Sequence, residues 1–585
     1  MPTIEYRVTL LSPQAHLFEI ECTIPAPAPE GQAVSLPAWI PGSYMIRDFA
    51  RHVVSLSASS QGKAVHVEKT DKQTWRCAPC AGKLKLSYTV YAFDLSVRAA
   101  YFDSTRAYFN GTSLCLMVNG QERQHCRLTI EKPSGFGDGW QVGTAMTPHK
   151  IDKRGFGTYQ AEDYRTLIDH PVEIGALEIA TFKVKGVPHR LIVSGRHRAD
   201  LKRMARDLKQ LCRYHIDFFG VAPFSRYDFL LFAAGDDQYG GLEHLNSTSL
   251  VCPRSWLPVK GEPLDHAHYQ DLLGLCSHEY FHAWHVKRIR PQAFIDPPLD
   301  REAYTRQLWI FEGFTAYYDS LFVLRSGLIP REAYLRDLAQ SITRMLRTPG
   351  RHVQALEDSS FDAWIKLYKP DENTPNAQIS YYLKGSLTAL ALDLTLRQAG
   401  HSLDEVMHRL WQLHGDSGIG LAEGALADLV RNVTGVDVDA LLDSALRSTE
   451  ALPLERLLGD FGIDYQETVD QERTTDLGIK LGPGEEARIA TVLSGSPAER
   501  AGLAGGDVVI AVDGLRVNNK TLEKRTGKRK AGSTITVHAF RRDELMCFEV
   551  TLTAARPDLC KLAVKRRIGL AMRARQDAWL GPTSA

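Results

Sequence analysis

His278-Glu279-Tyr280-Phe281-His282 reads H-E-x-x-H, a pattern whose chemistry follows from its spacing on a helix. Positions i and i+4 of an α-helix stack on one face, about 6 Å apart along the axis. Two imidazoles placed so can share one metal ion. The glutamate between them sits beside the remaining coordination position, where it can take a proton from water. The context predicts a helix. Asp271 to Arg290 holds no proline and one glycine, Gly274, and Leu272, Leu273, Cys276, Tyr280 and Trp284 recur near the helical period. Pro291 is expected to end it. The plain alternative is two buried histidines on an amphipathic helix.

A catalytic zinc takes a third protein ligand. The run Leu308-Trp309-Ile310-Phe311-Glu312-Gly313-Phe314-Thr315-Ala316-Tyr317-Tyr318 sets one acid, Glu312, among apolar and aromatic residues. An unpaired carboxylate there is costly to bury, and a metal is a suitable partner. The other reading is a partly exposed glutamate at a helix start. His285 competes for the role at i+7 from His278. It lies roughly 10 Å along the axis, too far for one ion unless the helix breaks. It is expected to support the ligands or the structure.

Together, H-E-x-x-H and Trp309-x-x-Glu312-Gly313-Phe314-Thr315-x-Tyr317 resemble the Glu-zincin aminopeptidases, and most nearly the glycyl aminopeptidase family, whose members carry a C-terminal PDZ domain. Further stretches match that pattern in order. They are Pro37-Ala38-Trp39-Ile40-Pro41-Gly42-Ser43-Tyr44 with Ile46-Arg47-Asp48, Gly240-Gly241-Leu242-Glu243-His244, His285-Val286-Lys287-Arg288 through Arg290-Pro291, and Tyr381-Tyr382-Leu383-Lys384-Gly385. Two features depart from the pattern. The 29 residues between His282 and Glu312 are more than in the better-known aminopeptidase branch, which assigns an insertion to the loop Pro291–Arg301. Position 285, a histidine here, is more often asparagine in the family.

The resemblance implies roles. Gly240, Gly241 and Glu243 would belong to the substrate-binding strand, where paired glycines let a peptide backbone approach and Glu243 neutralises the free α-ammonium. Tyr382 would donate its phenol to the developing oxyanion. The alternatives are a Gly-Gly turn with a surface glutamate and a core aromatic residue. The implied activity is zinc-dependent amide hydrolysis with one Zn²⁺ per chain, held by His278, His282 and Glu312, with Glu279 as general base. The family's name implies release of small N-terminal residues, glycine or alanine, from peptides. The rival readings are a zinc endopeptidase and a PDZ scaffold with weak or no peptidase activity. Gly415-Asp416-Ser417-Gly418 spells a trypsin-type nucleophile tetrapeptide. It lies between helical patterns, without histidine and aspartate partners in matching context.

The composition suits a soluble enzyme. Apolar residues make up 44% and charged residues 24% of 585, enough for several cores. A net charge of +1 gives no nucleic-acid footprint. No basic segment leads into an apolar run at the start, and no stretch of about 18 apolar residues occurs, so neither export nor a membrane span is expected. Ten cysteines are too sparse for a disulfide scaffold, so reduced thiols and a cytoplasmic location are expected. Cys77-Ala78-Pro79-Cys80 has no second pair and reads as a turn with two incidental thiols.

The expected architecture is multidomain α+β. Ile4, Tyr6, Val8 and Leu10, then Phe18, Ile20, Cys22 and Ile24, alternate with polar residues and predict a sandwich-like domain of antiparallel strands over 1–168. A thermolysin-like catalytic domain with a helical lobe is expected over 169–460. Its helices are predicted at Asp200–Phe219, Leu387–Gln398, Leu403–Leu413, Ala425–Asn432 and Val438–Arg447, and a strand at Tyr227–Ala233. Gly495-Ser496-Pro497-Ala498 through Gly502-Leu503, then Gly506-Asp507-Val508, resemble the bacterial PDZ signature and place such a domain over 465–557. It either captures peptide or protein C-termini by strand addition or packs on the catalytic domain and binds nothing. Residues 558–585 are expected as a basic tail, solvated rather than membrane-bound, with Lys561, Lys565, Arg566, Arg567, Arg573 and Arg575.

Overall fold

Alternation builds the N-terminal sheet. Ile4, Tyr6, Val8 and Leu10 are all buried while Glu5 and Arg7 face solvent, the pattern of a strand with one wet face. In the computed structural model, which describes residues 3–264, 266–470 and 473–581, eight strands form this sheet, and Ile4–Ser12 lies inside it. That strand pairs antiparallel with Leu17–Ile24, as expected, but parallel with Cys126–Ile130. The parallel partner returns after a long excursion, where no hairpin dictates direction. Two four-stranded sheets complete the region.

A five-stranded sheet follows in the same compact unit. Its centre, Val187–Ser194, Tyr227–Ala234 and Ser247–Pro253, is parallel, and these strands are almost wholly buried, as parallel sheets require. The helix Leu201–Phe219 connects the first two. Asp200 caps it, accepting from the Arg203 N–H at 3.1 Å, and Gly220 ends it at φ 77°. The short strand Gly240–Glu243 pairs antiparallel with Ser247–Pro253 and forms one edge of the sheet.

The histidine helix spans His266–Phe281 and stops well before the expected Arg290. Proline is not the terminator. From His282 the chain coils into turns: Lys287 N–H donates to the His282 carbonyl, and Val286 N–H donates to the Ile289 carbonyl. Val286 has a φ of 93°, in the region that a β-branched residue rarely occupies. The hydrophobic period continues through this stretch, so periodicity does not reveal the break.

The second compact unit is helical before its PDZ-like sheet. Tyr381–Gln398 is its longest helix, almost entirely buried and capped by Ser380. Asp439–Arg447 agrees with expectation to one residue. Ser496 caps a short helix, Pro497–Ala501, and Val508–Val512 forms the strand expected after Gly506-Asp507. The solvated tail expected at the C-terminus is corrected by the structure. Leu559–Val564 is a strand paired antiparallel with Ile463–Thr468, and Leu570–Leu580 is a helix with Trp579 fully buried. Arg397 donates to the Ala578 carbonyl at 2.7 Å, and Arg331 binds Asp577 and the Gly581 carbonyl. The basic residues of 559–581 thus decorate folded elements; 582–585 lie outside the described residues. Among the described residues no helix is long and apolar enough to cross a membrane.

Candidate active site

His278 is in the last turn of the histidine helix, and His282 is the first residue beyond it, still held in helical spacing by its N–H bond to the His278 carbonyl. Their Nε2 atoms face each other at 3.1 Å. The Nδ1 of His282 lies 2.9 Å from the His285 carbonyl, and the Nδ1 of His278 lies 3.0 Å from Asp319 Oδ2. A carbonyl only accepts, and so does an ionised carboxylate, so both Nδ1 atoms carry the proton. Two Nε2 lone pairs then point at each other, which is repulsive unless a cation lies between them. Two nitrogens about 2.0–2.1 Å from a tetrahedral zinc ion sit a little over 3 Å apart, so the separation fits. Glu312, the third residue of the expected set, is itself buried. Two imidazoles and one carboxylate form a donor set suited to a catalytic zinc.

Two supports hold these side chains, and the sequence marks only the first, His285, expected to support them. His285 helps through its backbone carbonyl, with Val286 turned at positive φ immediately after it. Asp319 stands outside every motif, although an acid seven residues after Glu312 on a helix shares its face.

Glu279 and Glu243 are both buried, and a carboxylate oxygen from each lies within 4.8 Å of the other and of a His282 nitrogen. Glycines make the room. A Cβ on Gly241 would overlap the Glu279 carboxylate. A Cβ on Gly42, which has φ +98°, would overlap that of Glu243. Thus the Pro41-Gly42-Ser43 loop meets the Gly240–Glu243 strand. Glu243 Oε1 is buried and has no hydrogen-bond partner among the described residues. An ionised oxygen left so is costly, and a ligand cation would satisfy it.

Behind this strand lies an ionic anchor. Lys287 Nζ meets Asp169 Oδ1 at 2.6 Å, Leu245 N–H donates to Oδ2 at 2.7 Å, and His244 Nδ1 lies 3.6 Å away. Burial would raise the Asp169 pKa, but Lys287 and His244 outweigh it and hold the carboxyl well below its usual range. The anchor ties the strand carrying Glu243 to the turn that orients His282.

Glu312 is buried at the end of the short helix Leu308–Phe311, directly before the helix Gly313–Arg325. A Cβ on Gly313 would come 2.6 Å from the Gly385 backbone, and one on Gly385 would come 3.0 Å from Gly313 Cα. The glycines of Glu312-Gly313 and Lys384-Gly385 therefore serve one close helix crossing. Tyr382 lies in the first turn of the second helix, its hydroxyl 2.8 Å from that of Tyr368. Tyr381 is fully buried behind it. The trypsin-like tetrapeptide is a helix-end turn: Ser417 Oγ donates to the Leu413 carbonyl at 2.8 Å. Cys77 and Cys80 are free thiols, and burial pushes that of Cys77 up to about 11.

Comparison with known proteins gives three family matches: the peptidase M61 N-terminal domain over residues 5–176, M61 glycyl aminopeptidase over 271–388, and a PDZ domain over 459–552. The crystal structure of an aminopeptidase N family protein from Idiomarina loihiensis is 38% identical, with a TM-score of 0.95, over 99% of this chain and all of that one. An M1 zinc metallopeptidase from Deinococcus radiodurans is 16% identical, with a TM-score of 0.46, over 77% of this chain and 95% of that one; that likeness is too distant to bear on the site. No curated protein matches.

Proposed function

Since this chain belongs to the M61 glycyl aminopeptidase family of peptide hydrolases, we propose that it removes single small residues, glycine or alanine, from the amino terminus of peptides, using one zinc ion per chain. The observation that carries this reading is the facing pair of Nε2 atoms at 3.1 Å beside two buried carboxylates, Glu279 and Glu243. His278, His282 and Glu312 would hold the metal. When bound, zinc supplies Lewis acidity and lowers the pKa of water to near 7.

The protein's own residues do the rest. Glu279 accepts a proton from the attacking water and returns it to the departing amine. Glu243 receives the substrate's α-ammonium, which satisfies its orphaned oxygen and fixes cleavage one residue in. Tyr382 donates to the oxyanion, with its hydroxyl steadied by Tyr368. The ten free cysteines suit a reducing compartment, in keeping with a cytoplasmic setting.

The test is a panel of glycyl, alanyl and bulkier aminoacyl chromogenic amides beside N-acetylated counterparts. Fastest release from glycyl and alanyl amides, lost on acetylation, is expected. Cleavage indifferent to acetylation would make the protein an endopeptidase and remove Glu243 from its role.

A further inference from the structure

Arg98 lies beside the strand that carries Glu243. Its Nη2 donates to the Gly241 carbonyl at 3.1 Å, and its Nη1 is 3.5 Å from where a Cβ on Gly240 would stand. It has no ion pair among the described residues, and its Nε is buried without a hydrogen-bond partner there. A half-buried guanidinium with no carboxylate beside it is unusual, because its desolvation goes uncompensated.

The residue is held in place. Val97 and Ala99, on either side, are buried in one apolar cluster with Leu242, Val251 and Ile40. Asn110 Nδ2 donates to both flanking carbonyls, Val97 at 2.9 Å and Ala99 at 3.2 Å. Tyr108 hydroxyl bonds the Val97 carbonyl and Ser249 Oγ, each at 2.8 Å, tying the loop to the neighbouring strand. Such rigidity lowers the entropic cost of binding.

Strand register shows what Arg98 faces. His244 N–H bonds the Ser247 carbonyl, and the pairing continues through Glu243–Thr248, Leu242–Ser249 and Gly241–Leu250. Hydrogen-bonded and non-bonded pairs alternate in an antiparallel ladder. The backbone groups of Glu243 and Gly241 therefore point outward from the sheet edge. At Gly241 the outward carbonyl is taken by Arg98, so the edge offers donors there: the Gly241 N–H and the guanidinium. A peptide continuing along the edge needs an acceptor at that point. A terminal carboxylate, which only accepts, matches it. The distance also fits. Glu243 and Gly241 are two residues apart, about 7 Å, and an extended dipeptide spans about 7 Å from amine to carboxylate.

We propose that Arg98 binds the C-terminal carboxylate of short peptides, so that the preferred substrates are dipeptides, with the amine at Glu243 and the carboxylate at Arg98. This rests on the aminopeptidase reading and narrows its substrate class.

The test measures binding of alanyl-alanine, its C-terminal amide and its N-acetyl derivative to the zinc-loaded, full-length Glu279→Gln protein by calorimetry. The free dipeptide is expected to bind about tenfold or more tightly than the amide. Arg98→Gln should abolish that ratio, and Arg98→Lys should keep part of it. Equal affinity for dipeptide and amide with Arg98 intact would overturn the proposal, even if the variants failed to fold. An unchanged ratio in Arg98→Gln would overturn it too. Acetylation reads the amine clamp separately. Weakened binding of the acetylated peptide together with equal dipeptide and amide affinities would sink the Arg98 assignment and leave the aminopeptidase reading standing.

Discussion

Asp319 sets the tautomer of His278 without belonging to the H-E-x-x-H motif. Its carboxylate holds the Nδ1 proton and leaves Nε2 as a lone pair for a metal. Loss of such a partner typically weakens metal affinity about 10- to 100-fold. Asp319→Asn should do the same in a zinc competition titration, and unchanged affinity would mean the tautomer is set elsewhere. Gly42 packs against Glu243. The Cβ in Gly42→Ala would displace the Glu243 carboxylate, so KM for aminoacyl amides should rise severalfold with zinc content unchanged. Equal loss of zinc would place Gly42 in the metal site instead. His278, Glu279 and His282 are legible in the sequence because a helix sets their geometry from spacing alone. Asp319 and Arg98 are not, nor is the contact of Gly42 with Glu243, because each meets its partner only after distant segments fold together.

The helix that presents the histidines and the crossing that presents Glu312 are legible to different degrees. Apolar periodicity locates the histidine helix but runs past its end, since a positive φ at Val286 leaves no mark on periodicity. The motif glycines Gly313 and Gly385 are visible, but not that they touch each other. Overpacking of this kind costs about 1–3 kcal/mol. Gly385→Ala should therefore lower the thermal midpoint by several degrees and impair activity, because Glu312 and Tyr382 flank the crossing. An unchanged midpoint with normal turnover would show the crossing to be compliant. The C-terminal strand and helix leave little signal because their basic residues mask the few apolar anchors, Cys560, Trp579 and Leu580.

For the molecule as a whole, acid sensitivity follows from buried histidines. Burial holds both His189 and His215 down to about 4, from the ordinary 6.5. Below pH 6.5 the unfolded chain takes up protons that the folded chain excludes, so stability should fall by about 1.4 kcal/mol per pH unit for each such histidine. The loss should run from pH 6.5 to about 4, where the folded histidines also protonate. Asp169, held below its usual range, adds a further loss below about pH 4, because its folded form resists protonation longer than the unfolded one. Thermal midpoints recorded from pH 7 to 4 should decline steadily; a flat profile would contradict the burial of these groups.

The proposed activity stands on a zinc ion at His278, His282 and Glu312 with Glu279 as the base. The most direct measurement pairs metal content with turnover of alanyl chromogenic amide in the full-length protein and in Glu279→Gln. One zinc per chain is expected in both, with activity in the unmodified protein lost on chelation and restored by zinc, and a loss of at least about a hundredfold in the variant. Turnover that survives complete zinc removal, or a fully active Glu279→Gln protein, would contradict it.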